Sequence, residues 1–338
     1  MARESKTDGK AKLIAVTGPT GAGKTTFINA VCGSHLRVGT SLQSCTDKVQ
    51  TAYCNINGEN ITLIDTPGFD DTYKSQADIL KDIADFLEQT YERGRKLSGV
   101  IYMHRISDYR VGGIARENFR LFSKICGEGA MKNVVIVTTM WEDVAEEVGA
   151  QRETELRSKP LFFKDAVDHG ARMQRLLNTP QSALDTMSPF FEYAPKVLHM
   201  QYELVDLRKL LPHTDAGTEL KTELERQTEQ HKQELQELQV EMSETAARKD
   251  AAHREEMEDL RTAFAEMQKK MEKLDKEMQK LTNSTQTPRG RPQSRGFREI
   301  LRKASHSLFR GRVDNREAVM FVRERGGAGC LSGDNLEI

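Results

Sequence analysis

The residues Gly18-Pro19-Thr20-Gly21-Ala22-Gly23-Lys24-Thr25 stand between an apolar run, Leu13 to Val16, and an amphipathic one that begins at Phe27. Glycines at this spacing let a chain wrap until its N–H groups converge on phosphate oxygens, and a helix opening at the end of the wrap adds its positive pole. Lys24 is then placed for the outer phosphates and the Thr25 hydroxyl for a Mg²⁺ shell. Gly18, Thr20, Gly21, Ala22, Gly23, Lys24, Thr25 and Thr26 are the expected phosphate-binding residues, and the chemistry is nucleotide binding.

About forty residues on, Asp65-Thr66-Pro67-Gly68 follows the strand-like Ile61 to Ile64. An aspartate at a strand's end can hold Mg²⁺ through water, and the N–H of Gly68 can meet a γ-phosphate. Between the two motifs the polar stretch RVGTSLQSCTDKV offers hydroxyls. Thr46, directly before the next strand, is expected to reach both the metal and the γ-phosphate, with Thr40, Ser41 and Ser44 as competitors. The metal set is thus Thr25, Thr46 and Asp65; the catalytic set is Lys24, Thr46 and Gly68.

The elements that must position these groups are legible as alternation. Apolar runs at Leu13 to Thr17, Val49 to Ile56, Ile61 to Asp65, Val100 to His104 and Val134 to Thr138 read as strands between amphipathic helices, an α/β pattern with a mostly parallel sheet. Asn57-Gly58 marks a hairpin and so one antiparallel edge. Ser75, with Asp78 three residues on, opens a helix whose Ile79, Leu80, Ile83, Phe86 and Leu87 share a face. Another helix is expected over Arg116 to Ile125. A last strand is expected over Ala171 to Leu177, followed by a helix interrupted at Pro189 and Pro195.

From about Gly217 to Leu281 the chain is nearly all Glu, Gln, Lys, Arg, Ala, Leu and Met, without proline. Leu235, Leu238 and Met242, then Met257, Leu260, Phe264, Met267, Met271, Leu274, Met278 and Leu281, fall at spacings of three and four, which builds a coiled-coil seam. The phase slips by one residue within Ser243 to Glu256, so a local disturbance is expected there. A helix folded back on its own globular domain is the alternative. Past the linker-like 283–296, Phe297, Ile300, Leu301, Leu308 and Phe309 are interleaved with basic residues. From Pro288 to Arg312 eight basic residues face one acidic residue, Glu299. Such an element can lie on an anionic membrane or bind an acidic partner; a plain solvated tail is the alternative. The expected division is 1–11 disordered, 12–212 nucleotide domain, 213–282 coiled-coil helix and 283–338 basic, largely disordered tail.

Over 12–210 the combination GPTGAGKTTFINAV, SCTDKV, TLIDTPGFDD and VIYMHRISDYRVGG resembles the TRAFAC class of P-loop GTPases. Within it, the likeness is to the septin-like branch of immunity-associated and chloroplast import receptor GTPases, and most of all to fungal G-domain proteins with C-terminal coiled coils. The resemblance implies a G domain that takes GTP or GDP with Mg²⁺ and pairs as a homodimer through that domain, the coiled coil or both. The usual guanine-reading Asn-Lys-x-Asp is missing: Thr138-Thr139-Met140-Trp141-Glu142-Asp143 stands in its place. A carboxylate there must accept from the ring N–H and the exocyclic amine of guanine. By analogy with the immunity-associated relatives Asp143 takes that role, with Glu142 competing and Trp141 as the apolar wall. Where small GTPases carry a water-orienting glutamine, Phe69 stands, so slow hydrolysis is expected, with the site completed across a dimer. His104 and Arg105, at a strand's end, are further donors to weigh, and His104 reads as a structural histidine.

Composition narrows the remaining classes. With 50 basic and 51 acidic residues there is no global footprint for nucleic acid, and none is expected as a partner. Five cysteines without CxxC spacing read as reduced thiols, and the polar N-terminus carries no secretory pattern, so a cytoplasmic, at most peripherally membrane-bound protein is expected. The alternative function is a nucleotide-stabilised coiled-coil scaffold without significant catalysis.

Overall fold

The computed structural model describes residues 11–34, 50–68, 74–108, 112–246 and 252–283. Thr46, Phe69, the first ten residues and the basic tail lie outside the described residues.

Six strands form one sheet: β1 (Lys12–Thr17), β2 (Gln50–Ile56), β3 (Glu59–Asp65), β4 (Gly99–Arg105), β5 (Val134–Thr139) and β6 (Arg172–Arg175), in the order β2-β3-β1-β4-β5-β6. All neighbours are parallel except β2 and β3. That hairpin turns at Asn57 and Gly58, both at positive φ (52° and 84°), the conformation an Asn-Gly turn needs. The central strands are buried on both faces because helices cover each side. Their period of two divides the core. Ile14, Val16, Ile101, Met103, Val135 and Val137 pack with α1 (Lys24–Cys32) and α6 (Pro180–Met187). On the other face Ala15, Val100 and Tyr102 meet α2 (Gln76–Glu92) and α3 (Gly113–Cys126), where Tyr102 packs edge-on to Phe119 at 5.0 Å.

Past the sheet's centre the chain forms α4 (Glu146–Ser158) and α5 (Lys164–Asp168), neither of which the sequence pattern marked. The interruption expected at Pro189 is present: α6 ends at Met187 and the short α7 (Pro189–Glu192) starts afresh. A single turn, α8 (His199–Gln201), leads through a π-helical turn at Tyr202–Asp206 to α9 (Asp215–Ala246) and α10 (Ala252–Asn283). The fully buried Glu203 carboxylate accepts from the Asp215 N–H at 3.0 Å and from Lys209 Nζ at 2.7 Å, so it caps α9 and fixes where that helix leaves.

The stretch read as one helix is two, and residues 247–251 between them fall where the seam slips phase. α9 touches α3, α10 touches α2, and the two pack against each other, so the second runs back along the first. Near its start α9 buries Ala216, Leu220 and Leu224, and Arg226 pairs with Glu117 of α3 at 3.3 Å. Near its end α10 reaches α2, where the Glu277 carboxylate accepts from the Gln76 N–H and Lys280 pairs with Asp78. Leu260, Leu274 and Leu281 of α10 are buried, and α10 packs with α9 of the same chain and with α2, which is the folded-back arrangement kept as the alternative above. Burial raises the Asp78 carboxyl, yet hydrogen bonds from Lys280 and Ser75 outweigh it and hold the group below its ordinary range. Ser75 caps α2 as expected, accepting from the Asp78 N–H at 3.2 Å.

Candidate functional site

β1 delivers its chain straight into the glycine-rich loop. Gly18 sits at φ +133° because the loop presses on β4: a Cβ there would stand 2.2 Å from the Met103 carbonyl oxygen. Gly23, at φ +86°, is the N-cap of α1 and supplies no capping side chain, nor does the first turn hold an acid. The positive end of α1 is therefore left for an external anion. Lys24, 7% exposed, donates from Nζ to the carbonyls of Gly18 and Pro19 at 2.8 Å each, which fixes its ammonium against the loop.

The two motifs converge. Thr25 Oγ1 donates to Asp65 Oδ2 at 2.7 Å, although forty residues separate them, because β3 lies beside β1 and ends level with the loop. A hydroxyl and a fully buried carboxylate brought together beside a phosphate loop form an all-oxygen donor pair of the kind Mg²⁺ takes. Thr66 locks the register, its Oγ1 donating to the Val16 carbonyl at 3.0 Å, and Gly68 follows as a buried residue. Thr20, Gly21, Ala22 and Thr26 all lie on the loop or the first turn of α1, so the phosphate set forms one contiguous site.

At the far end β5 is tied to the loop by Thr139 Oγ1, which donates to the Ala22 carbonyl at 3.2 Å. Met140 adopts φ +58° and brings its Cε to 3.9 Å from the position a Cβ would take at Gly23. Met140, together with Met103 whose Cε lies 3.8 Å from the same point, is therefore an apolar side chain lying on the loop here. Trp141, expected as that wall, is 7% exposed and committed elsewhere. Its Nε1 donates to the Thr138 carbonyl at 3.2 Å, Arg175 stacks 4.1 Å from its ring, and Gly149 of α4 presses on it. Glu142 and Asp143 are both exposed on the short 3-10 turn Trp141–Asp143, so burial does not choose between them.

Of the strand-end donors, His104 is 2% exposed and edge-on to Phe163 at 5.4 Å. Burial lowers its pKa to about 4, with Asp108 opposing and Arg105 adding to the effect, so it is a neutral structural histidine near pH 7. Arg105 is the one that reaches the loop: its Nη1 lies 3.1 Å from the position of a Cβ at Gly21, while its Nε pairs with Asp108 at 3.0 Å. Among the described residues His199, Glu203 and Asp215 also stand close enough to share a cation, but Lys209 already supplies one there. No described helix is long and apolar enough to cross a membrane.

The family model described as 50S ribosome-binding GTPase matches residues 13–139. Translocase of chloroplast 90, chloroplastic, from Arabidopsis thaliana is 27% identical over 146 residues, 41% of this chain; the match spans 18% of that protein's length. Among solved structures, Toc33 from Arabidopsis thaliana with Mg²⁺ and GMPPNP superposes at a TM-score of 0.43 and 18% identity, over 55% of this chain and 87% of that one. Era from Aquifex aeolicus, bound to GDP and AlF4⁻, gives 0.42 at 18% identity, over 55% and 58% of the two chains. By the order of its motifs along the sheet, and by the family model that matches residues 13–139, this part of the chain has the α/β fold of a P-loop G domain.

Proposed function

We propose that this chain binds GTP and GDP with Mg²⁺, hydrolyses GTP slowly, and changes its self-association with the state of the nucleotide. The observation that carries the reading is the 2.7 Å contact of Thr25 Oγ1 with Asp65 Oδ2 beside the anchored Lys24. In that arrangement loop amides and Lys24 hold the phosphates, Thr25 and Asp65 hold the metal, and Thr46 and Gly68 respond to the third phosphate. Mg²⁺, when bound, draws charge from the phosphate oxygens. Asp143, three residues past Met140, is the carboxylate assigned to guanine. Phe69 cannot orient a water, so turnover is slow and a second copy of the chain is the natural source of a missing group. Arg105, at the loop, is a second cation beside Lys24 that would balance phosphate charge.

Calorimetry with GTP, GDP and ATP, with and without Mg²⁺, tests the binding. Guanine nucleotides should bind with Mg²⁺, ATP should not, and Lys24→Ala should lose the heat. Binding of no purine nucleotide would remove the proposal. Light scattering with GDP against a non-hydrolysable GTP analogue tests the assembly: equal particle sizes would leave a binding protein without a switch.

A further inference from the structure

Two of the cysteines, separated by 22 positions, meet in space. Cys32 is the last residue of α1, the helix that opens with Lys24, and Cys54 lies in the middle of β2. Their Sγ atoms stand 2.9 Å apart, and both side chains are half-buried against the core on the α1 side of the sheet. The third described cysteine is different in kind: Cys126 is 1% exposed at the end of α3, in apolar surroundings that push its thiol up and leave it inert. Cys45 and Cys330 lie outside the described residues.

We propose that Cys32 and Cys54 are a modification site, a dithiol that small-molecule disulfides of the glutathione class convert reversibly to an intramolecular disulfide. The contact assigns the roles. The Cys32 S–H donates to Cys54 Sγ, which holds Cys54 below the usual thiol range and, together with burial, pushes Cys32 well above it. Cys54 is therefore the first nucleophile. Its thiolate attacks one sulfur of the oxidant, the oxidant's S–S bond breaks, and one thiol leaves with a proton. Cys32 then gives up its own proton and attacks Cys54 Sγ, which expels the second small thiol. Two protein thiols are oxidised, one small disulfide is reduced to two thiols, and no other reactant is required.

The bridge ties the end of α1 to the edge strand and closes the chain between them into a ring. That ring contains Thr46, so oxidation restrains the segment expected to respond to the third phosphate; this consequence rests on the proposed function, whereas the bridge itself does not. A surface pair without such a contact would take up the small thiol and stop at the mixed disulfide.

The test uses the full chain, free of nucleotide. After incubation with oxidised glutathione, free thiols are alkylated and peptides mapped by mass spectrometry, and melting is followed before and after dithiothreitol. The expected result is a peptide joining Cys32 to Cys54, Cys126 still unmodified, and a rise in Tm on the order of 5–10 °C that dithiothreitol reverses. Cys32→Ser should stop the reaction at Cys54 with glutathione attached and abolish the rise. Cys54→Ala should leave Cys32 largely unmodified, as a second variant should Cys32→Ser fold poorly. Glutathione on both cysteines without a bridge, a bridge to Cys45 instead, or an unchanged Tm would each overturn the proposal. Since no readout involves nucleotide, such a failure leaves the nucleotide-binding reading standing, and loss of that reading would leave the bridge standing.

Discussion

Gly18→Ala should unfold the domain more readily before any ligand is considered, and the structure says by how much. Gly18 sits at φ +133°, and a Cβ there would lie 2.2 Å from the Met103 carbonyl oxygen and 3.0 Å from the Met103 nitrogen. Met103 is backbone in β4, paired with Val137 of β5, so no rotamer change relieves the clash. Forcing an L residue into that backbone region costs about 1–3 kcal/mol, and overpacking against a fixed neighbour costs about the same again. The sum is on the order of 4 kcal/mol. Gly33, at φ +59° with nothing within 4 Å of its would-be Cβ, isolates the conformational part, about 1 kcal/mol for alanine. At about 2–4 °C per kcal/mol for a domain of this size, Gly18→Ala should melt about 8–16 °C lower and Gly33→Ala only about 2–4 °C lower, in EDTA without nucleotide. Equal losses in the two variants would refute the argument. So would a Gly18→Ala protein that melts like the parent and differs only in nucleotide affinity, because the glycine would then serve the ligand and not the approach of loop to strand.

His104 makes stability depend on acid: its folded pKa of about 4 lies below the unfolded value of about 6.5, so its contribution is full above pH 6.5 and lost as pH falls toward 4. Urea midpoints should fall by the equivalent of roughly 3 kcal/mol across that window, and His104→Phe should lose that part of the dependence; an unchanged profile would show the acid response to arise elsewhere. Leu281→Ala, at a side chain 1% exposed, should cost about 2–4 kcal/mol and speed hydrogen exchange in α10, while Val240→Ala, 58% exposed, should change neither. Asp143→Asn should lower GTP affinity by about 100-fold or more and raise affinity for xanthosine triphosphate, since an amide donates where the xanthine ring carries a carbonyl. If Glu142→Gln gives that exchange instead, the guanine assignment moves to Glu142.

The phosphate end of the site was legible because its chemistry needs a local pattern. Glycines, a lysine and a hydroxyl within eight positions announce a loop between strand and helix, and Asn57-Gly58 announced the antiparallel edge in the same way. What stayed hidden depends on long-range packing. Trp141 looked available from its neighbours in sequence, but Arg175 of β6 lies over its ring and Gly149 of α4 abuts its Cζ3. The seam in α10 was readable because spacing shows that a helix needs a partner; spacing cannot show that the partner is α9 of the same chain. Cys32 and Cys54 gave no signal at all, since only the pairing of β2 with β3 and the packing of α1 beside them bring the two sulfurs together.

The tethers around the loop explain why binding and turnover should part company. Thr66 to Val16, Thr139 to Ala22, Lys24 to Gly18 and Pro19, and Thr25 to Asp65 tie the loop, β1 and α1 to one another, to β5 and to the end of β3. These bonds hold the loop in place, so under the proposed function little ordering of it would accompany phosphate binding. Hydrolysis draws on other parts. It needs a group that orients water in the transition state, and the sequence offers Phe69 there, whose ring has no donor or acceptor to give. A preformed cradle strengthens the hold on substrate and product alike, and uniform binding does not lower the barrier of the chemical step. On the proposed function, tight guanine-nucleotide binding with slow turnover is the expected pairing, and acceleration would need a water-orienting group supplied from outside these residues.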